Sequence, residues 1–204
     1  MRNGLEYARV THILQTMTSS EKLKKWKQNH KDHKSISGKA AILGTMMHHR
    51  ILDEISDVPL EVPDVDYEKL PEDAGEILDA RVASFKSLGL EFTGTQLVEY
   101  TMFHDPDPRF AGTTDCIGKI DGTKSIMDLK STSQPIKKHE LQLGAYFAMA
   151  ELAGIKDIEQ GMLVYVRNDN AEIALIERPE LIERKNRFIE LATNYHLHLH
   201  YPDQ

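Results

Sequence analysis

The chain is predicted to be an α/β protein with a mixed central β-sheet flanked by helices. Three observations point there. Two strand-like runs flank Asp121 and Gly122, helical stripes lie on either side of them in sequence (residues 39–55 and 137–153), and two more strand-like runs follow (161–167 and 172–177). Strands interleaved with helices form a sheet whose faces the helices cover. At 204 residues the chain is long enough for one well-buried core. One domain is expected. Its parts are 1–38 (N-terminal helices), 39–56 (a histidine-bearing helix), 57–92 (an acidic excursion and a helix), 93–177 (the sheet and a helix carrying Gln142 and Tyr146) and 178–204 (a C-terminal helix).

In order, Val10, Ile13, Leu14 and Met17 fall at helical spacing and predict a short first helix packed on the core. Thr18 followed by Glu21 is a capping-box pattern, so a second helix is expected there, with Leu23 and Trp26 inward and lysines outward. From 39 to 55 one stripe holds Ala40, Gly44, Met47, His48, Ile51 and Ile55. Gly44, one turn before His48, lets a neighbouring backbone or ligand come close. A lone histidine on a buried face is more often a hydrogen-bonded core residue than a ligand; nearby carboxylates change that balance, because neutral imidazole binds metals well. His49 points about 100° away and is expected to be exposed.

The acidic stretch that follows is interrupted by Pro59, Pro63 and Pro71 and reads as a surface excursion. Pro71 can open a helix bearing Ile77, Leu78, Val82, Phe85 and Leu88, ending near Gly89. A strand is expected at 95–103, where Glu99 shares a face with Leu97 and Thr101; it either attends a site or is an edge-strand acid facing water. After the Asp121-Gly122 hairpin, Gln142 and Tyr146 share one face of the helix at 137–153, which Gly154 stops. The strands 161–167 and 172–177 join at Asn168, Asp169 and Asn170, and an amphipathic helix follows Pro179. His196, His198 and His200 are spaced by two, which spreads them round a helix, so they are not read as a metal site.

The hairpin carries the chemistry. Asp-Gly between alternating runs is a strong signal for a two-residue turn, because both positions need φ > 0. Ile120 then pairs with Thr123, Ile117 with Ile126, and Asp115 faces Asp128. Directly opposed side chains have Cβ atoms about 4.5–5.5 Å apart, and like charges there are destabilising unless something positive lies between them. Lys130, two residues beyond Asp128, shares its face. A divalent cation would join the carboxylates; a plain surface ion-pair ladder is the bland alternative. Asp32 with Lys34 and Glu183 with Lys185 repeat the acid-x-Lys spacing, but in highly charged helical surroundings. Cations held by carboxylates, beside a lysine that orients or deprotonates water, are the apparatus of metal-assisted phosphodiester hydrolysis.

Composition sets bounds. Apolar runs fall short of the roughly 18 residues a membrane span needs, and MRNGLEYARV is neither a signal nor a transit peptide, so a soluble, cytoplasmic protein without a membrane partner is expected. The single cysteine, Cys116, cannot form an internal disulfide or a four-cysteine iron–sulfur site and reads as a buried apolar filler. The net charge of −7 resides in residues 61–79, which hold eight acids and one base, so the remainder is neutral. Within it, residues 22–39 carry seven lysines against Asp32. A basic segment beside a carboxylate site suits a phosphate-bearing ligand, although a solvated helix face has the same composition.

Four motifs in order carry a resemblance: Gly44 with His48, Gly112 with Asp115, Asp128 with Lys130, and Gln142 with Tyr146. At these residues the chain resembles the PD-(D/E)XK nuclease superfamily, RecB-like branch. RVTHILQTM and SSEKLKKWKQ are further similar to the opening of the mitochondrial genome maintenance exonuclease family, whose members cut single-stranded DNA. The resemblance extends from Val10 to about Glu177. It implies the restriction-endonuclease-like core and a DNA exonuclease, preferring single-stranded ends or flaps, in repair, replication or recombination. It also implies that His48, Asp115, Asp128 and the carbonyl of Leu129 bind Mg²⁺ or Mn²⁺, one or two ions, with Asp115, Asp128 and Lys130 as the catalytic residues. Gln142, Tyr146, Glu99, Ser131 and Thr132 are candidates for holding nucleic acid or ordering the site. The acid before the lysine is Asp where many members have Glu. The iron–sulfur cysteines of some relatives are missing, so no cluster is expected. A duplex-end-resecting or structure-specific nuclease, and a non-catalytic nucleic-acid-binding protein, remain alternative readings.

Overall fold

The computed structural model describes residues 6–18, 33–131 and 137–200. The capping-box helix with Leu23 and Trp26, and Thr132, lie outside them, as does most of the lysine-rich segment. The elements are β1 (Ala8–Arg9), α1 (Val10–Met17), α2 (His33–Ile55), α3 (Ala74–Lys86), β2 (Phe92–His104), β3 (Phe110–Ile120), β4 (Thr123–Lys130), α4 (Lys137–Leu152), β5 (Gln160–Val166), β6 (Ala171–Glu177) and α5 (Arg178–His200). The strands form a single mixed sheet in the order β1-β3-β4-β5-β6, with β2 on the other edge of β3. Pairs β1/β3 and β4/β5 are parallel; β2/β3, β3/β4 and β5/β6 are antiparallel.

Helices cover both faces. Val10, Ile13 and Leu14 of α1, Leu143 and Phe147 of α4, and Leu181 and Phe188 of α5 pack against Phe110, Ile117, Ile126 and Leu163. On the opposite face Leu43, Met47, Ile51 and Leu52 of α2 and Leu78 and Phe85 of α3 pack against Cys116, Met127, Leu129 and Val164. The central strands are accordingly apolar on both sides, as strands between two helix layers must be. Helix α4 is buried continuously from Gln142 to Ala150, because it is sandwiched between the sheet and α5. The close fit depends on Gly144: a Cβ there would lie 2.5 Å from the Arg184 carbonyl carbon.

Several boundaries differ from expectation. α2 begins six residues early, at His33. Ala40, placed in its apolar stripe, is exposed, whereas Leu43 and Leu52 are core residues. His49 is half-buried rather than exposed, with Nε2 enclosed, because α3 packs alongside and its Val82 and Ala83 line the same cleft. Residues 57–73 carry only the short 3₁₀ turn Tyr67–Lys69, and α3 opens three residues after Pro71, whose carbonyl accepts the Ala74 N–H at 3.0 Å. The two-residue strand β1 is too short for any sequence period to reveal. Among the described residues no helix is long and apolar enough to cross a membrane.

Candidate active site

The hairpin turns on Asp121 (φ 50°) and Gly122 (φ 79°), both left-handed as a two-residue loop of this kind requires. Its ladder runs from Ile120↔Thr123 to Cys116↔Met127 and stops there. The stop has a topological cause. β2 occupies one edge of β3 throughout, while on the other edge β4 pairs with residues 116–120 and β1 with Phe110 and Ala111. Residues 112–115 therefore lie in a fork between β4 and β1. Asp115, which the hairpin register sets opposite Asp128, turns its carboxylate into this fork, where Oδ2 accepts the Leu129 N–H at 2.6 Å. Since the N–H and C=O of an extended residue point to the same strand edge, the Leu129 carbonyl is presented on that side too. The Thr114 hydroxyl donates to the Met127 carbonyl at 3.3 Å and completes the transition.

Alternation places Asp128 and Lys130 together on the face toward α4. Asp128 is 2% exposed. The Lys130 ammonium lies against Asp128 Oδ2 and donates to Gln142 Oε1 at 3.0 Å. The Gln142 amide nitrogen donates to the Tyr146 hydroxyl at 2.7 Å and reaches Asp128 Oδ1 at 3.5 Å. Gln142 thus holds lysine and carboxylate together, and Tyr146 holds Gln142. From the other helix layer His48 comes to the fork with Nδ1 3.3 Å from Asp115 Oδ1. Gly44, one turn earlier, lets α2 pass the end of β4: its Cβ position is 3.1 Å from Ser131 Oγ.

The electrostatics separate the two acids. Burial pushes the Asp128 carboxyl up to about 6, with Lys130 opposing and the neighbouring Asp115 adding to the rise. Burial would raise Asp115 as well, but His48, Lys130 and the Leu129 N–H outweigh it and hold Asp115 below the usual carboxylate range. His48 is raised in turn: burial lowers it, and Asp115 more than compensates. Two like charges share the fork, and one of them is held back from ionising.

Other candidates divide. Tyr146 is 3% exposed, its ring forms the wall against Gly112 and its hydroxyl accepts from Gln142. Glu99 is exposed and sits in a left-handed conformation (φ 46°), at the β2 position across from Asp115, and among the described residues nothing ties it to the acidic pair. Ser131 is half-buried against Gly44. Sequence reasoning missed His139, which is 4% exposed and shares a hydrogen bond of 3.2 Å with the Tyr165 hydroxyl; Tyr165 is the β5 neighbour of Lys130. Burial, Lys130 and Lys138 push its imidazole down to about 3. Its spacing of three from Gln142 was the available signal. Cys116 is wholly buried against α2 and α3, and burial pushes its thiol up to about 12.

The donors fit a hard divalent cation. Asp128 Oδ2 is enclosed and, though beside the Lys130 ammonium, takes no well-directed hydrogen bond. Carboxylate and carbonyl oxygens with one imidazole are a donor set for Mg²⁺ or Mn²⁺. Among the described residues no three His, Cys, Asp or Glu side chains already converge as a metal cluster; Asp115 is matched by His48 and Asp128 by Lys130.

No family model and no curated protein matches the chain. Among solved structures, the crystal structure of SSO0001 is similar at 19% identity with a TM-score of 0.39, over 50% of this chain and 50% of its own length. A likeness this slight says nothing about function.

Proposed function

We propose that this chain is a divalent-metal-dependent deoxyribonuclease of the PD-(D/E)XK superfamily, RecB-like branch, acting as an exonuclease on single-stranded DNA ends or flaps. What supports the reading above all is the arrangement at the fork: Asp128 and Lys130 on one strand face, Asp115 beside them, and His48 on Asp115. The preference for single strands rests on the sequence resemblance.

His48, Asp115, Asp128 and the Leu129 carbonyl would hold Mg²⁺ or Mn²⁺, which when bound neutralises the scissile phosphate and lowers the pKa of a water. The chain's own residues supply position. Lys130, fixed by Gln142, orients the attacking water through Nζ; Gln142 is fixed by Tyr146. His48 and the Leu129 N–H aim the two oxygens of Asp115.

The test is incubation of the purified protein with end-labelled single-stranded, duplex, flap and circular single-stranded DNA, with Mg²⁺, Mn²⁺ or excess EDTA. Cleavage of linear single strands that stops in EDTA is expected. Activity undiminished by EDTA rejects the metal assignment, and circles degraded as fast as linear strands reject the need for an end.

A further inference from the structure

A cleft of about 420 Å³ opens beside the fork, lined by Arg9, Thr11, Thr101, Gly112, Thr113 and Tyr146 among others. Its position follows from the same topology as the site. β1 sets Arg9 against Ala111, β2 sets Thr101 against Thr113, and Gly112 begins the run that ends three residues later at Asp115. Tyr146 forms a shared wall, its ring toward the cleft and its hydroxyl on Gln142, which holds Lys130.

The chemistry of this lining is unlike that of the chain as a whole. Net charge is −7, yet among the described residues no carboxylate lines the cleft and one guanidinium does. Arg50, Arg109, Arg167, Arg178 and Arg184 each face a carboxylate. Arg9 is exposed and, like Arg81 and Arg187, faces none among the described residues; of these three it alone lines the cleft among the described residues. The Thr101 and Thr113 hydroxyls lie 2.8 Å apart; one donates to the other, which leaves a hydroxyl proton free to donate into the cleft. A cation without a carboxylate partner, spare hydroxyl donors and no competing acid are what a phosphodiester anion requires.

We propose that this cleft is the subsite for a backbone phosphate of the nucleic-acid strand adjoining the scissile bond, with Arg9 as its charge partner and Thr113 as a hydroxyl donor. The assignment rests on the nuclease reading, and it names where the strand runs: along β3 from Asp115 toward Ala111, past Tyr146.

The test is binding of a fluorescently labelled single strand of about a dozen nucleotides to the full chain in EDTA, by anisotropy, across about 50–200 mM salt. Arg9→Gln is expected to weaken binding about ten-fold at the low-salt end and to flatten the salt slope by about 0.7, the value of one phosphate contact to a single strand. Arg9→Lys keeps the slope. Thr113→Val, which removes a hydroxyl and no charge, weakens binding about three-fold with the slope unchanged. Both residues are exposed, so thermal unfolding should confirm intact folding in each variant. If the parent binds and Arg9→Gln matches it in affinity and slope, the cleft is overturned while the nuclease reading stands. A parent that neither binds nor cleaves the strand overturns both.

Discussion

Replacing Gly112 by Ala would place a methyl carbon 2.7 Å from Tyr146 Cε1, 3.2 Å from Val10 Cγ2 and 3.4 Å from Met149 Cε. Ordinary contact begins near 3.4 Å, so the tyrosine ring must withdraw by more than half an ångström. It has little room, being 3% exposed within the core cluster that also holds Phe147 and Met149. Overpacking of this kind costs about 1–3 kcal/mol. Gly112 does not occupy a left-handed conformation, so the stiffer unfolded chain returns about 0.4–1 kcal/mol. The net loss is about 1–2 kcal/mol, or a Tm lower by about 2–8 °C for a chain of this size. Activity should suffer more, because the displaced hydroxyl is the one that fixes Gln142, and a sub-ångström error beside the reacting groups can lower the rate about 100-fold. Thermal unfolding and a single-strand cleavage assay measure the two effects, and a double-mutant cycle with Tyr146→Leu isolates the clash: the combined stability loss should fall short of the sum by about 1 kcal/mol or more. Additive losses, or a Gly112→Ala variant with parental Tm and rate, would refute the account of why glycine stands three residues before Asp115.

Asp128→Asn removes a charged oxygen ligand and should weaken Mn²⁺ binding and abolish cleavage together, whereas Lys130→Ala leaves every ligand in place and should still bind Mn²⁺ by calorimetric titration while cleavage falls about 10²–10⁴-fold. A Lys130→Ala variant that cleaves like the parent, or loses Mn²⁺ as completely as Asp128→Asn, removes the lysine from its role. Mn²⁺ or Mg²⁺ should raise the parent's Tm, since a ligand held only by the folded chain stabilises it; no shift at concentrations that support cleavage counts against the site. Folding holds His139 at about 3 against an unfolded value of about 6.5. Its contribution is therefore complete above pH 6.5 and drains as pH falls toward 3. At pH 5 the loss is about 2 kcal/mol by linkage, or about 4–8 °C in Tm. Asp128, raised to about 6, acts in the opposite sense, so the informative quantity is the difference between the parent and His139→Asn. Equal Tm changes in the two between pH 7 and pH 5 would show that His139 stays charged or exposed.

Much of the fold was legible because it is written in short-range patterns. A strand alternates with period two and a helix with period 3.6, whatever lies elsewhere in the chain. Asp121 and Gly122 bend the hairpin through their own backbone preferences, and the register follows by counting, so the pairing of Ile117 with Ile126 and the common face of Asp128 and Lys130 could be read directly. Gln142 and Tyr146 share a helix face for the same reason, and their hydrogen bond follows.

What the sequence by itself determined, then, is which residues share a strand face, a helix face or a turn, and so which charged groups could meet. Only the tertiary structure decided how they meet. The fork that turns Asp115 onto the Leu129 N–H exists because Ala8 and Arg9 take the edge of β3 that β4 leaves, a contact spanning about a hundred residues that no local pattern encodes. His139 joins the site because β5 sets Tyr165 beside Lys130. The split between Asp115 and Asp128 arises from burial and from which cation each acid receives. Edge choice, burial and desolvation are properties of the assembled layers, fixed when distant segments compete for one surface, and a linear pattern carries no record of that competition.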